Sequence, residues 1–405
     1  MRYDLIAKCA AALAALGLSA SCATTHVVGD NVKRVVNGQP MDTSGLKQAV
    51  SSDTKDMEAN LAVLRRKMLE AYATLRTNVQ KRWGQNDAKV AERTVYVKYT
   101  DGYKSRVVTD FDHGTLTVET VDDKDPRGNL RTAIVAALLT TNDPATVDLF
   151  SDKDVALESD RKPYLYGLVH DNQGKSIHTH AQAEAFAKYL LAQKIETRPV
   201  TGDQGAKTAL FVKISMVKNY EAKGAEHYRA SAEKYAAIYH VSPSLVLAIM
   251  RTESNFNPFA VSSAPAYGLM QLVPTSAGRA AIKRTQGVDD TPTADYLFDP
   301  EHNIELGTAY LSVLSDTEFH GVENQESRDY CVIAAYNTGP HNVTKTFAAK
   351  KADALKDINQ MDSPAVFEHL RTDLPYEETR QYVVKVTGYR KQFVGAPSAP
   401  ATAME

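Results

Sequence analysis

Three cysteines stand among 405 residues, Cys9, Cys22 and Cys331, too few for a disulfide framework. Cys331 lies in "YCVIAAYN" and reads as a small buried hydrophobe rather than a nucleophile. One-sided charge is missing as well. Lys and Arg number 47 against 49 Asp and Glu, a net charge of −2, so bulk charge gives no reason to expect nucleic acid as a partner. No apolar run beyond the amino terminus is long enough to cross a bilayer. Internal repeats are absent, and so is the paired-histidine helix of zinc proteases. "GLVHDNQGKS" (167–176) puts six residues, not four, between Gly167 and Gly174-Lys175, so it reads as a hairpin turn rather than a phosphate loop. His178 and His180 have no acid or cysteine at metal-ligand spacing, and no metal or other cofactor is expected. What is left is an ordinary globular composition, 43% hydrophobic and 24% charged, on a chain long enough for two domains.

The amino terminus departs from that. "MRYDLIAK" carries Arg2 and Lys8, then Cys9 to Ala20 are apolar or small, a run too short for a membrane-spanning helix. It ends in "LSASC". This resembles a bacterial lipoprotein signal, with Ser19 where leucine is usual. The resemblance implies a signal peptide over 1–21, lipidation of Cys22 and a polar tether over 22–44; cleavage without lipid is the alternative.

The rest reads as α+β: a mixed α/β domain over 45–218, a mostly α-helical domain over 219–394 and a disordered tail over 395–405. Leu61, Leu64, Met68 and Tyr72 fall at helical spacing in a helix from Gly45 to Trp83. Strands are expected at 94–100, 105–111, 114–121, 164–171 and 208–217, with helices at 130–140 and 181–193. In the second domain, Ser242 as N-cap and Pro243 at the first helical position open a helix through "SLVLAIMRTES". Further helices are expected at 274–284, 302–317, 327–336 and 377–393.

That helix ends on an acid. Val246, Ile249 and Met250 lie seven, four and three places before Glu253 and share its face. An apolar face desolvates the carboxyl, which raises its pKa and suits it to general-acid work near neutral pH. The bland alternative is an acid at a helix end paired with Arg251.

Four short patterns follow in order: Glu253-Ser254, Gly268-Leu269-Met270-Gln271, Ala335-Tyr336-Asn337, and Tyr382 within "ETRQYV". Together they resemble the lysozyme-like transglycosylase family. "VKYTDGYKSRVVTDFDHGTLTVET", "AIVAALLTTNDPATVDLFSD" and "KPYLYG" resemble the amino-terminal domain of membrane-bound lytic murein transglycosylases. The resemblance implies non-hydrolytic cleavage of the β-1,4 bond between N-acetylmuramic acid and N-acetylglucosamine in peptidoglycan, with 1,6-anhydromuramyl ends. Glu253 would be the catalytic acid and base. Ser254, Gly268, Met270, Gln271, Tyr336, Asn337 and Tyr382 would bind or position the glycan. It also implies an enzyme lipid-anchored at Cys22 to the outer membrane and facing the periplasm. A lysozyme-type hydrolase would need a second carboxylate, for which Asp289, Asp290 and Asp295 are candidates. A non-catalytic wall-binding lipoprotein is the remaining alternative.

Overall fold

The structure, a computed structural model, describes residues 66, 69–142, 147–155, 157, 162–203, 205–262 and 266–394. The expected signal peptide, the lipidation of Cys22, the tether and the tail lie outside these residues, as does most of the first helix ahead of residue 69.

The first helix, α1 (69–83), is followed by an antiparallel meander: β1 (Val95–Thr100), β2 (Ser105–Asp110) and β3 (Thr115–Thr120). Two helices come next, α2 (Pro126–Leu139) and α3 (His180–Gln193). Asp125 caps α2 at Gly128 N, and Thr179 with Gln182 forms a capping box on α3. The sheet closes with β4 (Glu196–Gly202) and β5 (Gly205–Ser215), in the order β1-β2-β3-β5-β4. Side chains alternate across it. Leu116, Val118 and Ile214 face α2 and α3, whereas Val97, Tyr99 and Val108 face Leu75, Val79 and Trp83 of α1.

Two expectations fail here. Residues 164–171 are not a strand but turns with isolated bridges, such as Tyr166 to Val169, and Gly167 takes φ 74°. Their apolar character comes from Tyr164, Leu165, Leu168 and Val169 plugging the core, not from a pleat. Conversely, β4 was not expected, because "ETRPVTG" carries proline and little apolar character. It is an edge strand, the place where a missing N–H is tolerated. The 167–176 segment is the expected hairpin turn: His170 bridges Ser176, and Asp171 Oδ1 accepts from the amides of Gln173 and Lys175.

The chain then becomes helical: α4 (Tyr220–Tyr239), α5 (Pro243–Ser254), α6 (Arg279–Gln286), α7 (Ala294–Phe298), α8 (Pro300–Val313), α9 (Gln325–Thr338), α10 (Pro340–Phe347), α11 (Lys351–Asn359), α12 (Ser363–Asp373) and α13 (Glu377–Phe393). The segments expected as helix at 274–284 and 302–317 contain π-helical turns at Pro274–Gly278 and Leu314–Glu318. α7, α10, α11 and α12 escaped the sequence reading. α12 carried a legible start, for Asp362 before Ser363-Pro364 caps Ala365 N.

The sheet unit and the helical unit share a core. Tyr96 of β1 stacks on Phe259 with ring centroids 4.2 Å apart, and Tyr164 meets the same ring edge-on at 5.2 Å. Tyr220 donates to Asp112 O at 2.8 Å. Phe259, Val261, Tyr267 and Leu272 thus share one cluster with sheet residues and with Leu297, Phe298 and Leu306 of α7 and α8, Tyr267 meeting the Phe298 ring at 5.2 Å.

Candidate active site

α5 is apolar nearly all round. Val246, Ile249 and Met250 are fully buried, and the face they form carries Glu253, itself only 6% exposed. Desolvation pushes the Glu253 carboxyl up to about 7. Against it work a hydrogen bond from Tyr382, whose hydroxyl donates to Oε1 at 2.6 Å, and the Arg93 guanidinium, 4.0 Å from Oε2. Glu378 adds a small push upward. Arg251 does not pair with Glu253. It binds Glu221 and Gln392 and lies over the Tyr389 ring, so the bland reading of the acid fails on geometry.

Just past the acid the chain reverses sharply. Asn255 ends α5 at φ 46° and Phe256 follows at φ 64°, unusual for a bulky side chain. The reversal is anchored on the sheet unit: Asn255 Nδ2 donates to Phe111 O at 2.7 Å, and Asn257 Nδ2 to Arg93 O at 3.1 Å. Phe256 fills the space over Gly224, where an added Cβ would lie 3.2 Å from its ring.

The second motif is a tight turn held from inside. Gly268 takes φ 74°, and a Cβ there would stand 2.5 Å from Asn303 Nδ2 and 2.6 Å from Leu297 O. The close approach that demands glycine is therefore made by the protein's own residues. Gln271 adopts φ 48°, with Nε2 donating to Gly268 O and Ala260 O, while its buried Oε1 has no protein partner. Met270 presents backbone, not side chain. Its side chain is fully buried against Gly307, its N–H donates to Asn303 Oδ1 at 2.8 Å, and its carbonyl accepts from Tyr336 OH at 2.8 Å. Ser254 is fully buried too, and its hydroxyl donates to Leu269 O at 2.8 Å, tying the acid's helix to this turn.

The third and fourth motifs close the other side. Tyr336 and Asn337 end α9, and Asn337 Oδ1 accepts from Thr379 Oγ1 at 2.7 Å, which ties α9 to the start of α13. One turn on, Tyr382 reaches Glu253. Burial first, then the Glu253 carboxylate, hold the Tyr336 and Tyr382 hydroxyls well above the usual phenol range. The four motifs, scattered over 130 positions of sequence, are brought together around one carboxyl.

The acids considered for a hydrolase stand elsewhere. Asp289 is ion-paired with Arg279, which holds its carboxyl below the usual range, and Asp290 accepts from Thr291 N. Asp295 acts on Tyr267 rather than on Glu253. Among the described residues no group of three His, Cys, Asp or Glu could hold a metal ion. Cys331 is buried in α9, its thiol pushed up to about 12 by burial.

Sequence reasoning missed Asn303, Arg93 and Glu378. Asn303 is fully buried and bonds Met270 N, Tyr267 O and Leu297 O, so it organises the whole second turn. A polar residue on the face that also carries Leu306 and Gly307 was its only local signal. Arg93 had none, since its meaning depends on a contact with a residue 160 positions away. A cavity of about 500 Å³ opens beside the site, between the units, lined among others by Arg93, Thr94, Thr252, Ser262 and Lys385.

Residues 59–227 match the family described as "Membrane-bound lytic murein transglycosylase C, N-terminal domain", and residues 230–359 match the "Transglycosylase SLT domain". The chain is 43% identical over 316 residues to a membrane-bound lytic murein transglycosylase C of Klebsiella pneumoniae, covering 78% of this chain and 86% of that protein. The Yersinia pestis (strain Pestoides F) protein of the same name is also 43% identical over 316 residues, 78% of this chain and 87% of that one. Among solved structures, the 70 kDa soluble lytic transglycosylase of Escherichia coli is 30% identical, with a TM-score of 0.32, covering 42% of this chain and 24% of that longer one. The complex of the 70 kDa soluble lytic transglycosylase with bulgecin A gives 28% identity and a TM-score of 0.33, over 44% of this chain and 26% of that one.

Proposed function

The chain belongs to the membrane-bound lytic murein transglycosylase C family and is a peptidoglycan lytic transglycosylase, and on that premise we propose that Glu253 is the single acid and base of the reaction. The bond cleaved joins N-acetylmuramic acid to N-acetylglucosamine. Glu253 protonates the bridging oxygen as the glycosidic bond breaks. The carboxylate so formed takes the proton of the muramyl C6 hydroxyl, whose oxygen attacks the anomeric carbon and closes a 1,6-anhydro ring. Glu253 ends protonated, and no water is consumed.

The observation that carries this reading is the carboxyl's environment. A group pushed up to about 7 is partly protonated at neutral pH and can both give and take a proton there. Tyr382 occupies Oε1 as donor, which leaves Oε2 to carry the mobile proton. General acid–base help of this kind is worth roughly 10²–10⁴-fold. Ser254, Gly268 and Met270 act from within, by fixing the turn beside the acid. Gln271, Tyr336, Asn337 and Tyr382 bind glycan or orient the acid, Gln271 with its spare Oε1 as the acceptor. Mass spectrometry of digested purified walls tests this. Wild type should release fragments one water lighter than reducing ends, and Glu253→Gln should release none. Reducing ends alone, or undiminished digestion by Glu253→Gln, overturns the reading.

The relatives' name supports association with a membrane, and no helix among the described residues is long and apolar enough to cross one. We read Cys22 as the lipidated residue that holds the enzyme on the outer membrane facing the periplasm. Cys22→Ala should move the protein from the membrane fraction to the soluble fraction; unchanged fractionation counts against the anchor.

A further inference from the structure

The sheet unit brings one side chain to the acid. Arg93 lies two residues before β1, and Asn257, on the reversal that follows α5, grips its carbonyl. Arg93 Nη1 stands 4.0 Å from Glu253 Oε2 and 3.7 Å from Glu378 Oε1. The arginine side chain is 45% exposed, the Glu253 side chain 8%. At that separation charge is felt but no hydrogen bond closes. A bidentate arginine clamp would pin the carboxylate and hold it ionised. Building on Glu253 as the acid and base, we propose that Arg93 is a positioning residue through which the sheet unit sets how readily Glu253 releases and retakes its proton, with Glu378 holding the guanidinium at its standoff.

The reaction makes two opposed demands on one carboxyl. It must keep its proton until the sugar arrives, which burial favours. It must then survive as an anion until the C6 hydroxyl is deprotonated, and a buried carboxylate without a partner is costly. Arg93 offsets that cost only while the anion exists. The groups that face Glu253 are few. Tyr382 and Glu378 come from α13, Tyr336 from α9 and Arg93 from the sheet unit. On its own helix, Arg251 is turned away to Glu221 and Gln392. Of the two flanking charges, Arg93 favours the ionised form and Glu378 opposes it. Their removal must therefore move the acid in opposite directions.

The experiment is the pH dependence of kcat/KM on purified glycan strands for wild type, Arg93→Ala, Arg93→Lys, Glu378→Gln and Glu253→Gln. The alkaline limb reports loss of the Glu253 proton. In Arg93→Ala it should move up by about half a unit to one unit, the partial exposure of the guanidinium reducing the full effect of a charge at this range. Arg93→Lys should bring it back towards wild type. In Glu378→Gln it should move down, because a like charge is gone and Arg93 is free to close on Glu253. A residue that merely shapes the fold would change rate without moving the limb. An unmoved limb in Arg93→Ala, or an upward one in Glu378→Gln, overturns the inference; if Arg93→Ala does not fold, the direction in Glu378→Gln decides. Glu253→Gln separates the two levels. If it is inactive while the Arg93 limb stays put, the inference alone falls. If it is active, the reading of Glu253 falls with it.

Discussion

Each unit of this molecule buries one glutamate among its described residues, and the two keep opposite company. In the sheet unit Glu119 is 2% exposed, with Oε1 3.0 Å from Arg106 and Oε2 2.7 Å from Arg198. Arg106 in turn lies 3.8 Å over the Trp83 ring. Both oxygens of Glu119 are spoken for by charge. In the helical unit Glu253 is about as buried, yet it has one hydroxyl, and its arginine stops at 4.0 Å. Burial alone therefore does not make a proton donor. On the proposed role of Glu253, what separates a fastener from an acid is the neutralising contact left incomplete.

Breaking the complete cluster should have the larger effect on stability. Glu119→Gln leaves the fully buried Arg106 guanidinium without its counter-charge, while Arg198 keeps Asp87 at 2.9 Å, and should lower the unfolding free energy by about 3–5 kcal/mol, read by urea titration. The protein that stays folded should keep the wild-type alkaline limb. Glu253→Gln should do the reverse. Between about 4.5 and about 7 the folded protein holds a proton that the unfolded chain has released, so wild-type stability falls with pH across that window and stays low above it. The variant escapes this. At pH 8 it should be more stable than wild type by up to about 3 kcal/mol, and the gain should vanish near pH 4. A loss of stability at pH 8 would contradict the desolvated carboxyl. Smallest is Tyr382→Phe, which removes one donor to the carboxylate. Its cost to the ionised form is about 1.5 kcal/mol, which should carry the alkaline limb up by roughly one unit.

Much of this was written locally. Helical spacing marked α5 and its apolar face, and the order of four short motifs pointed to a glycan-cleaving site. The strands β1, β2, β3 and β5 followed from β-branched runs. Failures came where tertiary context outweighs pattern. Residues 164–171 look like a strand because core-filling side chains are dense there, and β4 looks like a loop because an edge can tolerate Pro199. The motifs located the turn at Gly268–Gln271 but not the reason for its shape, which is Asn303 reaching in from α8. The family resemblance makes Met270 a residue that binds or positions the glycan, yet its side chain packs on Gly307 and its carbonyl receives Tyr336. Arg93 and Glu378 were silent, since a lone charge in a sequence carries no sign of what it will face.

The hydrogen bond between Tyr382 and Glu253 spans 129 positions, and Arg93 joins them from far ahead in the chain. If Glu253 is the acid and base as proposed, cleaving power is a property of the finished molecule. A nascent chain that lacks its last helix has the carboxyl but not the surroundings that tune it. An enzyme able to cut the wall that encloses its own cell would then arm itself only when synthesis and folding are complete.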